Sequence, residues 1–231
     1  QRFKYRMVRI LDKRTDKPSR GRPRTFDRDR TLDVALESYW CEGPSGMSLN
    51  EVCRRAEVSK PGLYRAFGNE DGLTDAVLTR YTERMLGPVM EMIADDRPFG
   101  DVLDTLVNFM TTRPDSGPAG CLLAKMRSSL AQLGPVTRAH VERLHANSVA
   151  AYVRWVDHAR YRGEIGLSID TDLAAAFIDA QFNNILAQMA TGEDPAMVRA
   201  QAQLAFAGLT GRECVGIPGF PSQGPSGILD N

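Results

Sequence analysis

The sequence predicts an all-α protein in which a small N-terminal three-helix unit of helix-turn-helix type precedes a larger helical body. Apolar residues recur at helical spacing through most of the 231 residues, and alternating strand patterns are nearly absent. Capping residues also mark several helix starts. The predicted parts are a basic arm without a core over 1–25, the three-helix unit over 26–86, the body over 87–210, and a loose Gly/Pro-rich tail over 211–231.

Composition favours a globular protein that acts in the cytoplasm. Hydrophobic residues make up 42% and charged residues 25% of the chain, which is ordinary for a globular domain. No apolar run approaches the roughly 18 residues of a membrane span, and the basic N-terminus lacks the apolar block of a signal peptide. The cysteines lie far apart without C-x-x-C spacing, so neither disulfides, structural zinc nor another cofactor is expected. They are Cys41, Cys53, Cys121 and Cys214.

The positive charge is concentrated at one end of the chain. Lys and Arg number 29 in total, as do Asp and Glu, yet residues 1–30 hold 12 basic against 4 acidic residues. Such asymmetry points to a polyanionic partner. A solvated tail is the alternative that charge alone leaves open.

The first helix is predicted from Asp27 to about Glu42, with Asp27 as its cap and an apolar stripe at helical spacing. Gly43 and the residues after it end this helix. Ser48 and Glu51 then form a Ser-x-x-Glu capping box at the start of the second helix. Asn69 caps a fourth helix, whose first-turn acids Glu70 and Asp71 lie near the positive end of its dipole. The stripe of this fourth helix is Leu73, Val77 and Tyr81.

The third helix carries the strongest functional signal. Ser59 caps it, and Leu63 and Phe67 share the face that anchors it to the core. The remaining side chains project elsewhere and are free to enter the major groove of double-stranded DNA, although an ordinary solvated surface helix is the alternative. Basic side chains would meet base edges or phosphates, and Gly62 would leave room for a base or a thymine methyl group. The predicted contact residues are Ser48, Ser59, Lys60, Pro61, Gly62, Tyr64 and Arg65.

Residues from about Thr31 to Leu73 resemble the DNA-binding domain of TetR-type transcriptional repressors. The run Val-Ser-Lys-Pro-Gly-Leu-Tyr-x-x-Phe at 58–67, after a capped helix at this spacing, is the most specific part of the resemblance. A weaker likeness, to one branch of the family, lies at 120–123. The other matching residues are Leu32, Ala35, Tyr39, Gly43, Ser48, Leu49, Val52, Ala56 and Gly72-Leu73.

Two residues depart from the family pattern. Glu57 stands in the turn between helices two and three, where the family usually has Gly. If that turn needs positive φ, Glu57 holds it at a cost of about 1 kcal/mol. Glu70 stands where the family usually has a Lys that meets a phosphate, which leaves that contact in doubt.

The arm contains Arg20-Gly21-Arg22-Pro23-Arg24, which resembles an AT-hook core. Arginines favour the negative potential of a narrow A/T-rich minor groove, glycine permits close approach, and proline stiffens the extended chain. Arg20, Arg22 and Arg24 are therefore candidate minor-groove contacts, with a merely basic linker as the alternative.

The resemblance implies that the body binds a small-molecule effector and forms a homodimer. Apolar residues extend around most of the helix predicted at Asp170–Met189, so part of it requires cover by a second subunit or by the body itself. Pairing of this helix and Pro195–Leu209 with their copies would form a four-helix bundle. Further helices are predicted at Phe99–Thr112, Ala119–Gln132 and Pro135–Arg162.

The effector itself cannot be deduced from the residues. Candidate pocket residues are Met110, Cys121, Met126, Trp155, Phe177 and Phe182, although such side chains belong to a core more often than to a pocket. Cys121 is either a redox or electrophile sensor or a small buried hydrophobe. The histidines (His140, His145 and His158) lack the spacing of a metal site and are read as polar helix residues.

Two other function classes compete with this interpretation. A small helical enzyme is disfavoured, because the sequence offers no nucleophile–base constellation, phosphate loop or carboxylate motif. An architectural nucleic-acid binder would act through the arm alone, with little dependence on the third helix. The leading prediction is a ligand-responsive dimeric regulator, in the family's usual mode a repressor, which reads a palindromic operator through Ser59–Phe67.

Overall fold

The computed structural model describes residues 26–44, 46–112, 118, 120–165 and 169–210. Every regular element in these ranges is a helix, which confirms the predicted all-α class. The elements are α1 (Arg28–Glu42), α2 (Leu49–Ala56), α3 (Lys60–Phe67), α4 (Glu70–Tyr81), a π-turn (Thr82–Leu86), α5 (Gly87–Ile93), α6 (Phe99–Met110), α7 (Leu122–Ser128), a 3-10 turn (Leu130–Gln132), α8 (Pro135–Tyr161), α9 (Thr171–Thr191) and α10 (Pro195–Thr210).

Helices α1 to α3, called the head below, and helix α4 begin where the capping residues predict. The side chains of Asp27, Ser48, Ser59 and Asn69 each accept the backbone N–H three residues further on. The capping box at Ser48 also predicts that the Glu51 carboxylate accepts the N–H of Ser48. This part of the prediction is wrong, because the carboxylate accepts hydrogen bonds from Arg54 and Arg55 instead. These two hydrogen-bonded guanidinium groups, Arg54 foremost, lower the pKa of Glu51 to about 2.

The head shares its hydrophobic core with α4 and with part of the body. Leu32, Ala35, Val52 and Leu63 contribute from the head, and the predicted α4 stripe is fully buried. Residues far along the chain complete this core, so the head rests directly on the body. They are Leu122, Leu123, Met126, Leu133 and Val141.

The sequence prediction missed α5, which continues the direction of α4 after the π-turn. Pro88 lies in the first turn of α5 and has no N–H to donate. The helix widens just before it, and the N–H of Gly87 reaches the carbonyl of Thr82, five residues back. A single π-turn thus accommodates a proline that would otherwise clash with the preceding turn.

The body packs α6, α8, α9 and α10 around a second core, to which Phe99, Trp155, Ile178 and Phe206 contribute. Most body helices fall within two residues of their predicted bounds. The helix predicted at Ala119–Gln132 is wrong, because the described residues divide there into α7 and a 3-10 turn, while Ala119 itself lies outside them. On α9 the side that faces the second core is buried, whereas Leu173 on the other side is 65% exposed.

Candidate nucleic-acid interface

Helix α3 presents a polar face to solvent and an apolar face to the core. Leu63 is fully buried, whereas Lys60, Pro61 and Arg65 are exposed and Tyr64 is 38% exposed. The ammonium of Lys60 lies 5.8 Å from the centroid of the Tyr64 ring, a cation–π distance that orients both side chains on the same face. An eight-residue helix therefore holds two cations and an aromatic ring outward on a fixed base.

The turn between α2 and α3 does need positive φ. Glu57 has φ 57° and ψ 40°, and it is the only non-glycine residue with positive φ among the described residues. The N–H of Val58 donates to the carbonyl of Cys53 at 3.0 Å, and that of Glu57 to Arg54 at 3.3 Å. This is a Schellman closure with Glu at the position that glycine usually holds. It ends α2 sharply and sets the direction of α3.

The space predicted at Gly62 for a base or a thymine methyl group is already filled by neighbouring side chains. Gly62 is buried rather than open, and an added Cβ would meet the Ser59 hydroxyl at 3.0 Å and the Phe26 ring at 3.4 Å. The Phe26 ring lies 6.4 Å from that of Phe67, and the Arg28 guanidinium lies 4.9 Å from the Phe67 ring. The small size of Gly62 therefore serves packing against Phe26, which lies just after the basic arm.

The other predicted contact residues have different positions. Ser48 and Ser59 are exposed caps, with their hydroxyl groups bound to their own helices. Glu70 is exposed at the start of α4, where the family pattern would have a lysine. Arg20, Arg22 and Arg24 lie outside the described residues. Any role of these residues in DNA binding stays a prediction.

A cavity of about 100 Å³ lies in the body beside α4 and the π-turn. Met110, Cys121 and Phe182, three of the candidate pocket residues, line it. The polar lining was missed by the sequence analysis, because the helices that supply it are far apart in the chain. It includes Arg127, His145, Ser148, Asp179 and Asn183.

Three of the predicted pocket residues do not line this cavity. Met126 is fully buried in the first core. Trp155 packs against Phe99 at 4.2 Å between ring centroids, and it borders an outer groove along α8. Phe177 packs edge-on against Phe206. Helical spacing showed that these side chains were apolar, but not which direction each one faces.

Comparisons with known proteins agree with this geometry. Residues 32–77 match the family described as bacterial regulatory proteins, tetR family. The HTH-type transcriptional repressor ComR of Escherichia coli K12 is 29% identical over 168 residues, which cover 71% of this chain and 79% of that protein. A regulator of the same type from Mycobacterium tuberculosis (strain CDC 1551 / Oshkosh), MT1294, is 30% identical over 50% of this chain and 67% of its own length.

A solved structure shares the fold. It is the TetR family transcriptional regulator CifR, as a cysteine mutant complexed with 26-bp double-strand operator DNA. The TM-score is 0.70 at 22% identity, over 82% of this chain and all of that one. The chain belongs to the tetR family of bacterial regulatory proteins. Like its relatives, it is a transcriptional regulator.

In this tetR-family regulator, Cys121 is held by neighbours in the cavity wall. The Tyr81 hydroxyl donates to its Sγ at 3.4 Å, and the N–H of Ala124 lies at the same distance. Burial, followed by the nearby Cys121, raises the pKa of Tyr81 well above its ordinary value, so this hydroxyl remains a donor. The thiol is thus both a helix cap and part of the cavity.

No group of three or more metal-ligating side chains forms within the described ranges. In the same part of the chain, no helix combines the length and apolar character needed to cross a bilayer.

Desolvation, then Arg127, lowers the pKa of His145 despite the nearby Asp179. Each histidine lies beside a carboxylate: His140 at 2.6 Å from Asp75, His158 at 3.8 Å from Asp96, and His145 at 4.0 Å from Asp179.

Proposed function

We propose that the protein is a ligand-responsive repressor that binds a palindromic operator as a homodimer through helix α3. The observation that carries this proposal is the outward face of α3, where Lys60, Tyr64 and Arg65 are exposed while Leu63 is completely buried. A helix whose apolar face is fixed to the core and whose opposite face exposes cations is the arrangement that enters a major groove. Repression is the activity named for the E. coli relative ComR.

The start of α3 supports binding to the phosphate backbone as well. The free amides at a helix N-terminus carry partial positive charge, which attracts anions. Ser59 already accepts the N–H of Gly62 and Pro61 has no N–H, so the attraction of this end of α3 for phosphate depends on the helix dipole and on side chains. Lys60 adds a full charge at the same end. Tyr64, one turn later, offers a hydroxyl to a phosphate oxygen.

The outer faces of α9 and α10 support the dimer. Leu173 on α9 and Leu204 on α10 are 65% and 61% exposed, and most other exposed residues of α9 between 176 and 190 are alanines. Small and apolar exposed faces on two neighbouring helices favour close helix packing with a second copy. Two copies of α3, one helical turn of DNA apart, would read a palindrome with much higher affinity than one.

The cavity supports response to an effector. At about 100 Å³ it is somewhat smaller than an engineered cavity of about 150 Å³ that binds benzene. Its wall is mainly apolar, with Arg127 and Asp179 3.7 Å apart at the polar side. Because these two opposite charges neutralise each other, the site favours a small, uncharged, largely apolar molecule with one hydrogen-bonding group.

The proposal is tested by selecting operator DNA in vitro with the full-length protein and measuring its affinity by fluorescence anisotropy. Lys60→Ala and Arg65→Ala should each weaken binding by about 1–3 kcal/mol if the residue reads a base bidentately. A residue that meets only phosphate would instead weaken binding to all sequences and lower the salt slope. Arg154→Ala, an exposed arginine on the body helix α8, is the control and should bind as wild type does.

Operator affinity that is unchanged in both α3 variants would reject this use of α3. Binding without sequence preference that survives both substitutions would favour the architectural alternative, in which the basic arm acts alone. Recovery of no DNA by the wild-type protein would reject the proposed function altogether.

A further inference from the structure

Asp71, in the first turn of α4, forms hydrogen bonds with the start of a helix 65 residues further along the chain. Its Oδ2 accepts the N–H of Val136 at 2.9 Å, and its Oδ1 accepts the N–H of Thr137 at 3.0 Å. The Thr137 hydroxyl also donates to Oδ1 at 2.6 Å. Asp71 lies in the first turn of α4, near the positive end of its dipole as predicted, and its carboxylate also serves α8.

These bonds complete the capping of α8. The first turn of a helix has amides without intrahelical partners, which a side chain at the N-cap usually accepts. Here the N-cap residue is Gly134, which has no side chain. Pro135 has no N–H, and the N–H of Arg138 already reaches the Gly134 carbonyl at 2.9 Å. The amides of Val136 and Thr137 are therefore the two that remain, and Asp71 accepts both.

The surroundings leave no space for a cap on α8 itself. A Cβ added at Gly134 would lie 2.6 Å from both carboxylate oxygens of Asp71. Gly134 has φ −64° and ψ 162°, which any residue adopts, so here a side chain is excluded by the carboxylate rather than by the backbone. Thr137 is fully buried, which shields its hydrogen bond from water.

A second polar contact repeats the link one helical turn further on. His140 Nδ1 lies 2.6 Å from Asp75 Oδ1, so α4 and α8 are joined at two successive levels. At its other end α4 reaches the cavity through Tyr81, and α8 does so through His145 and Tyr152. The cap thus lies at one end of two helices whose later turns form the effector cavity.

We infer that Asp71 is a positioning residue, which sets the head at a fixed angle to the body by capping α8 from α4. Leu73, two residues later, is fully buried in the core that holds α3, so the position of α4 is transmitted to the head. In a dimer this angle determines the separation of the two α3 helices. The inference rests on the proposed function, because it concerns operator geometry.

A purely structural role is the alternative, and moving the cap separates the two. Asp71→Ala removes the carboxylate from α4. The double variant Asp71→Ala/Gly134→Asp supplies a carboxylate from α8 itself, at a backbone conformation typical of an N-cap and in space that the first substitution has vacated. The double variant therefore restores the cap without the link to α4. Arg154→Ala, the exposed arginine of α8 used as the control above, is again the control.

The unfolding midpoint and the operator affinity are measured for each full-length protein. The affinity is measured on the selected operator and on versions with one or two base pairs inserted between the half-sites. Asp71→Ala should lower the midpoint, and the double variant should recover most of it. Both should bind the selected operator about 2- to 30-fold more weakly than wild type and should discriminate less against the inserted spacings. The control should match wild type in all respects.

Two results would overturn the inference. Wild-type affinity and spacing preference in the double variant would show that Asp71 only stabilises α8. A double variant that does not regain the midpoint would show that capping is not what Asp71 supplies. If wild-type protein selects no operator, the proposed function fails and this inference with it, whereas failure of the inference alone leaves wild-type binding intact.

Discussion

The left-handed turn at Glu57 makes a quantitative prediction about stability. For an L-residue this conformation costs roughly 1–2 kcal/mol, because Cβ crowds the carbonyl oxygen. Glycine does not pay that penalty, but it loses about 0.4–1 kcal/mol more chain entropy on folding. Since Glu57 has φ 57° and ψ 40°, the two effects oppose each other at this site. Glu57→Gly should therefore stabilise the fold by about 0.5–1 kcal/mol relative to Glu57→Ala.

The comparison with Glu57→Ala isolates the backbone, because both variants lose the carboxylate and its interactions. In a chain of this size the gain corresponds to a rise of roughly 1–4 °C in the unfolding midpoint. Urea unfolding followed by circular dichroism measures the free energy directly. Glu57→Asn should lie between the two, because asparagine tolerates this region better than most residues.

A Glu57→Gly protein that is less stable than Glu57→Ala would show that the left-handed conformation at residue 57 does not destabilise an L-residue there. That order is the one expected of a glycine in ordinary helical or extended backbone. Ser129→Gly against Ser129→Ala supplies the reference, since Ser129 ends α7 with φ −109° and glycine gains nothing there.

Two further predictions concern the dimer and the response to pH. Leu204→Arg should convert the proposed dimer to monomers in sedimentation experiments while the helical circular dichroism is kept, because a charge would be buried without a partner. Tyr161→Arg, at a side chain 90% exposed on α8, should leave the mass unchanged. A dimeric Leu204→Arg would contradict this use of α10. Burial raises the pKa of Asp71, but the hydrogen bonds from Thr137 and Val136 outweigh it and hold the pKa below its ordinary 3.8. Because the folded-state pKa is lowered, the carboxylate stabilises the fold above pH 4 and loses this effect as the pH falls through the lowered value. Asp71→Asn should therefore be less stable than wild type at pH 7 in thermal unfolding, and the difference should shrink as the pH falls below 3.8, whereas a difference that does not change with pH would contradict this effect.

The starts of the head helices and of α4 were predictable because their signals are local. A capping side chain and its backbone donor lie three residues apart, so Asp27, Ser48, Ser59 and Asn69 can be read without tertiary information. The outward face of α3 follows equally from the spacing of Leu63 and Phe67. The positive φ of Glu57 was predictable only through the resemblance, since nothing in its own chemistry favours that conformation.

The cavity and the α5 helix were harder to predict because they depend on structure that the local sequence does not reveal. Helical spacing shows that Met126, Trp155 and Phe177 are apolar, but their direction depends on helices elsewhere in the chain. Pro88 suggests a helix break, and the sequence does not reveal that a π-turn will absorb it. Glu51 illustrates the same limit at short range, because two arginines compete successfully for its carboxylate.

Asp71 shows most clearly why a pattern on one helix cannot assign a side chain to its partner. An acid in the first turn favours its own helix dipole, and that local effect is worth about 0.3–1 kcal/mol at an exposed site. Here the start of α8 offers three donors to the same carboxylate, and Gly134 provides the space for it. Hydrogen bonds to a charged group contribute about 1.5–3 kcal/mol each, so the distant partner wins. The sequence signal that could have revealed it was a helix start with Pro135 and no capping side chain of its own. Such a helix must take its cap from elsewhere in the fold, and whichever residue supplies it ties two elements together.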